Sequence, residues 1–320
     1  MIITMPDTTT SAVDKRLLTL REEGGAVALG RVLTLVVLAA EADVEAAVQA
    51  TNDASNEHPC RVIVIATPTG IPDDDDFAAD DGLPRLDAEI RVGGDAGASE
   101  VVILRASGPL RDQAPAIVTP LLLPDAPIVA WWPRLAPENP AADGVGRMAQ
   151  RRITDSVAAS SESMLDSLAA NYLPGDTDLS WARATMWRGL LAAALDSPPF
   201  VPVTSIDVVG ELGHTSIDMV AAWLALKLNC PVNARHDPSA KALSYLALRR
   251  TDADGGNADI VFDRPDGMTV TISTPGMPDR SISLPIRSVS DALAEELRRL
   301  TPDAVYAETL QQGLPLLTHK

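Results

Sequence analysis

Two apolar runs with a helix between them constrain this fold more than any other feature of the chain. Arg31-Val-Leu-Thr-Leu-Val-Val-Leu38 and Arg61-Val-Ile-Val-Ile-Ala66 are unbroken and rich in β-branched residues. A strand with one wet face alternates apolar and polar side chains, whereas an unbroken run suits a strand covered on both faces. Residues 42–54 between the runs read as a helix. Strand, helix, strand in that order implies a parallel pair joined by a right-handed crossover. The predicted N-terminal architecture is therefore α/β: a Rossmann-like, mostly parallel sheet with flanking helices.

The remaining pattern extends this reading. Asp7-Thr-Thr-Thr10 offers capping side chains for a helix that runs to about residue 23. Further strands are expected at 86–92, 100–106, 128–132 and 152–155, with helices at 110–122 and 161–171. A second domain begins after residue 173, giving a division into 1–173 and 174–320. It opens with a helix at 179–195, then a strand at 203–209, a helix at 216–229 and a strand at 232–235. Shorter strands follow between 242 and 286, with turn signals at Asp254-Gly-Gly and Pro265-Asp-Gly267. Helices at 291–300 and 302–310 close it, so this part is predicted as α+β with an antiparallel-rich sheet.

Charge excludes some partners. The formal net charge is −18. Nucleic acid requires a cationic footprint, and an anionic membrane surface would repel such a chain, so neither is an expected partner. No apolar run approaches the roughly 20 residues that span a bilayer. Cys60 and Cys230 have no motif spacing and read as reduced thiols of a cytoplasmic protein.

Catalytic patterns are absent from the sequence. It has no P-loop, no dinucleotide fingerprint, no Gly-x-Ser-x-Gly and no His-Glu-x-x-His. Gly93-Gly-Asp-Ala-Gly-Ala-Ser99 joins two strands, so it lacks the helix N-terminus that would aim its amides at an anion. Asp73-Asp-Asp-Asp76 reads as part of a solvated surface loop. His58, His214, His236 and His319 have no metal-ligand spacing. No metal and no cofactor is expected. One crevice is conceivable, because α/β sheets place ligands at the carboxyl ends of their strands. Trp131, Trp132 and Asp155 would line it, with His58 as a base and Arg151 or Arg152 holding a phosphosugar, as in a sugar-phosphate-binding or lactone-hydrolysing α/β enzyme. The alternative is that both tryptophans are core and Asp155 caps the segment after it.

The run Tyr172-Leu-Pro-Gly-Asp-Thr-Asp-Leu-Ser-Trp-Ala-Arg-Ala-Thr-Met-Trp-Arg188 concentrates the residue types that anchor protein interfaces. At about 100° per residue, Trp187, Leu190, Leu191, Ala194 and Leu195 share one apolar face. Arg183 falls inside that stripe and is expected to be a structural buried charge, balanced by Asp155, Asp176 or Asp178, or else to reach out to water. Trp181 and Arg188 share another face, expected to point outward as a partner-binding surface. Packing of both on the N-terminal domain is the alternative. Asp176 and Asp178 are expected to cap the helix.

These stretches assemble into a resemblance. Thr4–Asp14 with Gly30-Arg-Val-Leu-Thr-Leu35, Ala50-Thr-Asn-Asp-Ala-Ser-Asn-Glu-His-Pro59, Arg85-Leu-Asp-Ala-Glu-Ile-Arg-Val-Gly-Gly-Asp-Ala-Gly-Ala-Ser-Glu-Val-Val-Ile-Leu104, Val118-Thr-Pro-Leu-Leu-Leu-Pro-Asp-Ala-Pro-Ile-Val-Ala-Trp-Trp-Pro133, Arg151-Arg-Ile-Thr-Asp-Ser156 and Gly175-Asp-Thr-Asp-Leu-Ser-Trp181 through Asp196 are similar to the OpcA family of bacterial glucose-6-phosphate dehydrogenase assembly proteins. The resemblance covers the first 200 residues nearly end to end. It implies a non-catalytic partner that binds glucose-6-phosphate dehydrogenase and favours its active form, so that NADPH supply depends on it indirectly. It brings no catalytic residues with it.

Overall fold

The computed structural model describes residues 1–23, 32–56, 58–67, 82–93, 100–159, 161, 163–198 and 200–317. The expected acidic loop at 73–76 and the glycine-rich connection from residue 94 to 99 lie outside them, as does His319.

In chain order the first elements are β1 (Ile2–Met5), α1 (Thr10–Glu23), β2 (Leu33–Ala40), α2 (Val44–Ser55), β3 (Cys60–Thr67), β4 (Arg85–Arg91), β5 (Glu100–Ser107), α3 (Ala114–Val118), β6 (Ile128–Trp132) and β7 (Arg151–Thr154). Then follow α4 (Ser156–Ala159), α5 (Met164–Asn171), β8 (Asp176–Asp178), α6 (Leu179–Arg183), α7 (Thr185–Leu195), β9 (Val203–Glu211), α8 (Ser216–Leu228), β10 (Val232–Asp237), β11 (Leu243–Arg250), β12 (Ile260–Asp263), β13 (Thr269–Ser273), β14 (Arg280–Ser283), α9 (Val289–Arg298) and α10 (Ala304–Glu308).

The described chain forms two compact units. The first comprises residues 1–155, 175–177 and 289–302, and the second 156–174, 178–288 and 303–320. The chain thus passes between units repeatedly, where a single division after residue 173 was expected. The cause is visible at α9. Its apolar face, Ala292, Leu293 and Leu297, is buried, and it packs on α2 of the first unit. An amphipathic pattern announces that a helix needs a surface to cover; it does not say which one.

The first unit carries an eight-stranded sheet in the order β1-β4-β5-β3-β2-β6-β7-β8. The strands β5, β3, β2, β6 and β7 are mutually parallel, in the order of a doubly wound Rossmann-like sheet. β2 and β3 are buried along almost their whole length, as their unbroken apolar runs demand. β4 alternates buried and half-buried residues, matching its sequence Arg-Leu-Asp-Ala-Glu-Ile-Arg and its antiparallel pairing with β5. One face is covered by α1, through Val13, Leu17 and Leu20. Arg61 of β3 pairs with Glu100 of β5 at 2.9 Å, and Glu100 also takes Arg21 of α1 at 2.9 Å. α2 packs over β2 and β3.

The helix expected at 110–122 is instead a short α3 flanked by 3-10 turns at Gly108–Gln113 and Thr119–Leu121. Pro109, Pro115 and Pro120 remove the amide donors that a longer helix would need.

The second unit has a six-stranded sheet, β10-β9-β11-β12-β13-β14. Only β10 and β9 are parallel; the other pairs are antiparallel, as expected. α8 packs on β9 and β10. Its core includes Trp181, Trp187, Phe262 and Tyr306. The helix expected at 179–195 is two helices, α6 and α7, meeting at Ala184.

Candidate functional site

In a doubly wound sheet the ligand position is the crevice at the carboxyl ends of the strands where the order reverses. Here that is between β2 and β6. A dinucleotide site needs glycines at the turn after the first strand, so that backbone can approach a pyrophosphate. This chain has Ala39-Ala40-Glu41-Ala42-Asp43 there. Glu41 takes Arg105 at 2.7 Å and Asp43 takes Arg134 at 3.1 Å. Carboxylates therefore stand where phosphate charge would have to sit.

The expected crevice residues do not converge. Val37 pairs with both Val64 and Trp131, so Trp131 lies level with Val64. His58 precedes that level by six residues, about 20 Å along the strand direction. It stands at the amino edge of the sheet, opposite the carboxyl edge where Asp155 follows β7. Trp131 and Trp132 are adjacent in one strand and so face opposite sides of the sheet. Both are core, at 1% and 2% exposure. Trp132 belongs to the α1-side core, and a Cβ on Gly146 would lie 3.3 Å from its ring.

Arg151 and Arg152 are consumed structurally. Arg151 is paired with Glu296 of α9 and donates to the Thr301 carbonyl at 3.0 Å. Burial pushes the Glu296 carboxyl above the usual carboxylate range, against the opposing pull of Arg151. Arg152 is paired with Asp176 and donates to the Ala149 carbonyl at 2.9 Å. Asp176 is therefore a strand residue neutralising a guanidinium, and it does not cap the helix. Asp155 is buried.

The Trp/Arg run behaves differently from its expectation in one respect. Arg188 does meet Trp181: its guanidinium carbon lies 3.5 Å from the ring centroid. The face they share does not point outward, since Trp181 is 1% exposed while Arg188 is half-buried. The indole N–H donates to Asp303 at 2.8 Å, and the ring packs at 6.1 Å against Tyr306. Asp303 also accepts from the amides of Val305 and Tyr306, at 2.9 and 3.0 Å, and so caps α10. Burial raises the Asp303 carboxyl, but these amides, the indole and nearby Arg188 together hold it below the usual range. Asp178 caps α6 as expected, accepting from the Ser180 amide at 2.9 Å, and also takes the Ser156 hydroxyl at 2.7 Å. Arg183 is half-buried rather than buried. The break at Ala184 releases it from the stripe that a continuous helix would have imposed.

Asp303 is the residue that sequence reasoning missed. Its position after Pro302 is an N-cap signal, but nothing in the sequence links it to an indole 122 residues away.

Two family models match the chain. One, described as the N-terminal domain of a glucose-6-phosphate dehydrogenase subunit, matches residues 51–170. The other, described as the C-terminal domain of that subunit, matches residues 174–310. No curated protein matches. Among solved structures, an NAD-binding oxidoreductase from Klebsiella pneumoniae is similar over 89% of this chain and 95% of its own, with 7% identity and a TM-score of 0.44. A levoglucosan dehydrogenase in complex with NADH and levoglucosan is similar over 89% of this chain and 91% of its own, with 9% identity and a TM-score of 0.34. Likeness at that level carries no functional information.

Proposed function

The chain belongs to the OpcA family of glucose-6-phosphate dehydrogenase assembly proteins, and on that premise we propose that it is a non-catalytic partner that binds the dehydrogenase and favours its active oligomer. The observation that carries this reading is the match of both family domains, together covering residues 51–170 and 174–310. The effect on the cell would be on NADPH supply through the oxidative pentose phosphate pathway. The working place would be the cytoplasm, which agrees with two cysteines outside any disulfide. No helix among the described residues is long and apolar enough to cross a membrane.

The mechanism is a population shift. A partner that binds the active oligomer more tightly than the inactive form stabilises it by that difference in affinity, and by no more. Equal affinity for both would shift nothing. We place the contact on the exposed side of α7, with Arg188 as its anchor. Arg188 suits an anchor because the Trp181 ring beneath it orders the guanidinium before binding. Ordering in advance reduces the entropy lost on association. Trp181, Asp176 and Asp178 act in this reading as supports and not as contacts, because all three are buried.

The test mixes the purified chain with glucose-6-phosphate dehydrogenase from the same organism. NADPH formation is followed against added chain, and the mixture is run on size exclusion with light scattering. Saturable activation with co-elution is expected. Neither a complex nor a rate change would overturn the reading.

A further inference from the structure

The second unit carries an open pocket that none of the readings above uses. It lies between the last turn of α7 and the hairpin that joins β13 to β14. Its volume is about 410 Å³, inside the range of roughly 300–1,000 Å³ that small-molecule sites occupy. Ala194, Ile260 and Ile272 make its floor, and all three belong to the core of the unit. Pro198, Met277 and Pro278 are exposed and make its walls.

The polar groups of the pocket are few, and their charge has one sign. The chain has 44 acidic residues against 26 basic ones, so a charged lining residue should more often be acidic. Both charged residues lining this pocket are arginines, Arg250 and Arg280, and none of the described lining residues is acidic. Arg250 is held inside the protein at 3% exposure, with Nε donating to the Ala258 carbonyl at 2.9 Å. The Ser197 hydroxyl is likewise taken up, donating to the Ala193 carbonyl at 3.2 Å. Arg280 differs from both. It is exposed, and its side chain makes no ion pair or hydrogen bond with any described residue. It stands opposite Ile272 in the β13–β14 ladder, so the two side chains leave the sheet on the same face. A single uncommitted guanidinium therefore stands at the edge of an apolar floor.

We propose that this pocket binds a small carboxylate with an apolar body, the alkyl or aryl part lying on Ile260 and Ile272 and the carboxylate on Arg280. One planar guanidinium matches one carboxylate both in shape and in charge. A dianionic phosphate monoester would keep uncompensated charge beside apolar walls, in a chain whose net charge is already −18. A neutral apolar molecule would cover the floor and leave the guanidinium unused. This site is independent of the dehydrogenase reading and is tested on the full chain by itself.

Octanoate and phenylbutyrate are each titrated into the chain by calorimetry, with acetate and octanol as comparisons. Acetate keeps the carboxylate and lacks the body; octanol keeps the body and lacks the charge. One saturable site is expected for at least one of the two acids, with both comparison compounds at least about tenfold weaker. Arg280→Glu reverses the charge at an exposed position, and Thr274→Trp fills the pocket from a half-buried lining position. Each should weaken the acid at least about tenfold while circular dichroism stays native. The proposal is overturned if neither acid gives a saturable heat, or if acetate or octanol binds as tightly. It is equally overturned if either variant, folded, binds the acid like the parent chain.

Discussion

At the scale of the residue, Trp181 shows how one side chain can link several parts of a core. Its ring meets both Arg188 and Tyr306, and its N–H reaches Asp303. Trp181→Ala should destabilise the second unit by about 3–5 kcal/mol, as large truncations in cores do, read as a lower urea midpoint. Arg188→Ala should leave the fold intact, because the residue is half-buried, and weaken dehydrogenase binding at least about tenfold. Full binding by that folded variant would remove Arg188 from the interface. Asp303 gives a pH signature. Its carboxyl is held below the usual range in the folded chain, so its stabilisation is complete above the unfolded value of about 3.9 and is lost as pH falls through the lower folded value. Asn keeps an oxygen that can cap α10 but loses the charge, so Asp303→Asn should lower stability at neutral pH through the charge alone. The gap to the parent chain should close on acidification below about pH 4, measured by urea unfolding at stepped pH.

At the scale of the element, the short strands β7 and β8 depend on a buried pair and on a glycine. Arg151 and Glu296 join β7 to α9 within the first unit. Removing one partner of a buried pair strands the other charge, so Arg151→Met should cost about 3–5 kcal/mol, and adding Glu296→Met should restore much of it. A double variant no more stable than the single would show that packing, not charge, holds α9. Gly175 precedes β8 with φ +102°, and a Cβ there would stand 2.5 Å from the Gln150 carbonyl oxygen. Its own carbonyl accepts from the Arg152 amide at 2.9 Å. Gly175→Ala should cost about 1–3 kcal/mol from backbone strain alone, seen as a lower denaturation midpoint at unchanged slope. Sequence pattern located most elements and failed where helices were broken. Three prolines fragment the segment after β5, and that signal was available in the sequence. The break at Ala184 has no such marker in the local sequence.

At the scale of the whole molecule, the turn after β2 carries two carboxylates and no glycine. The strand order is that of a doubly wound sheet, but Glu41 and Asp43 occupy the turn where a pyrophosphate would lie. NADH fluorescence should therefore show no saturable enhancement with the chain at concentrations up to about 1 mM, a ceiling of roughly 4 kcal/mol of binding. A saturable signal would reopen an enzymatic reading. The net charge of −18 keeps nucleic acid out of the expected partners, a sequence-level argument that needs no fold.

The sequence alone determined the α/β class, the parallel centre of the first sheet and the antiparallel character of the second. Those follow from local periodicity, because an unbroken apolar run and an alternating run bury different faces. It also held the family motifs, which are contiguous in the chain. Only the tertiary structure decided that α9 belongs to the first unit, that His58 and Asp155 stand at opposite edges of one sheet, and that Trp181 is core. The same holds for the meeting of Trp181 with Asp303 and of Ala194 with Arg280 around one pocket. These are contacts between residues far apart in sequence. Their partners are chosen by register and by which surfaces remain uncovered, and neither leaves a periodic trace in the chain.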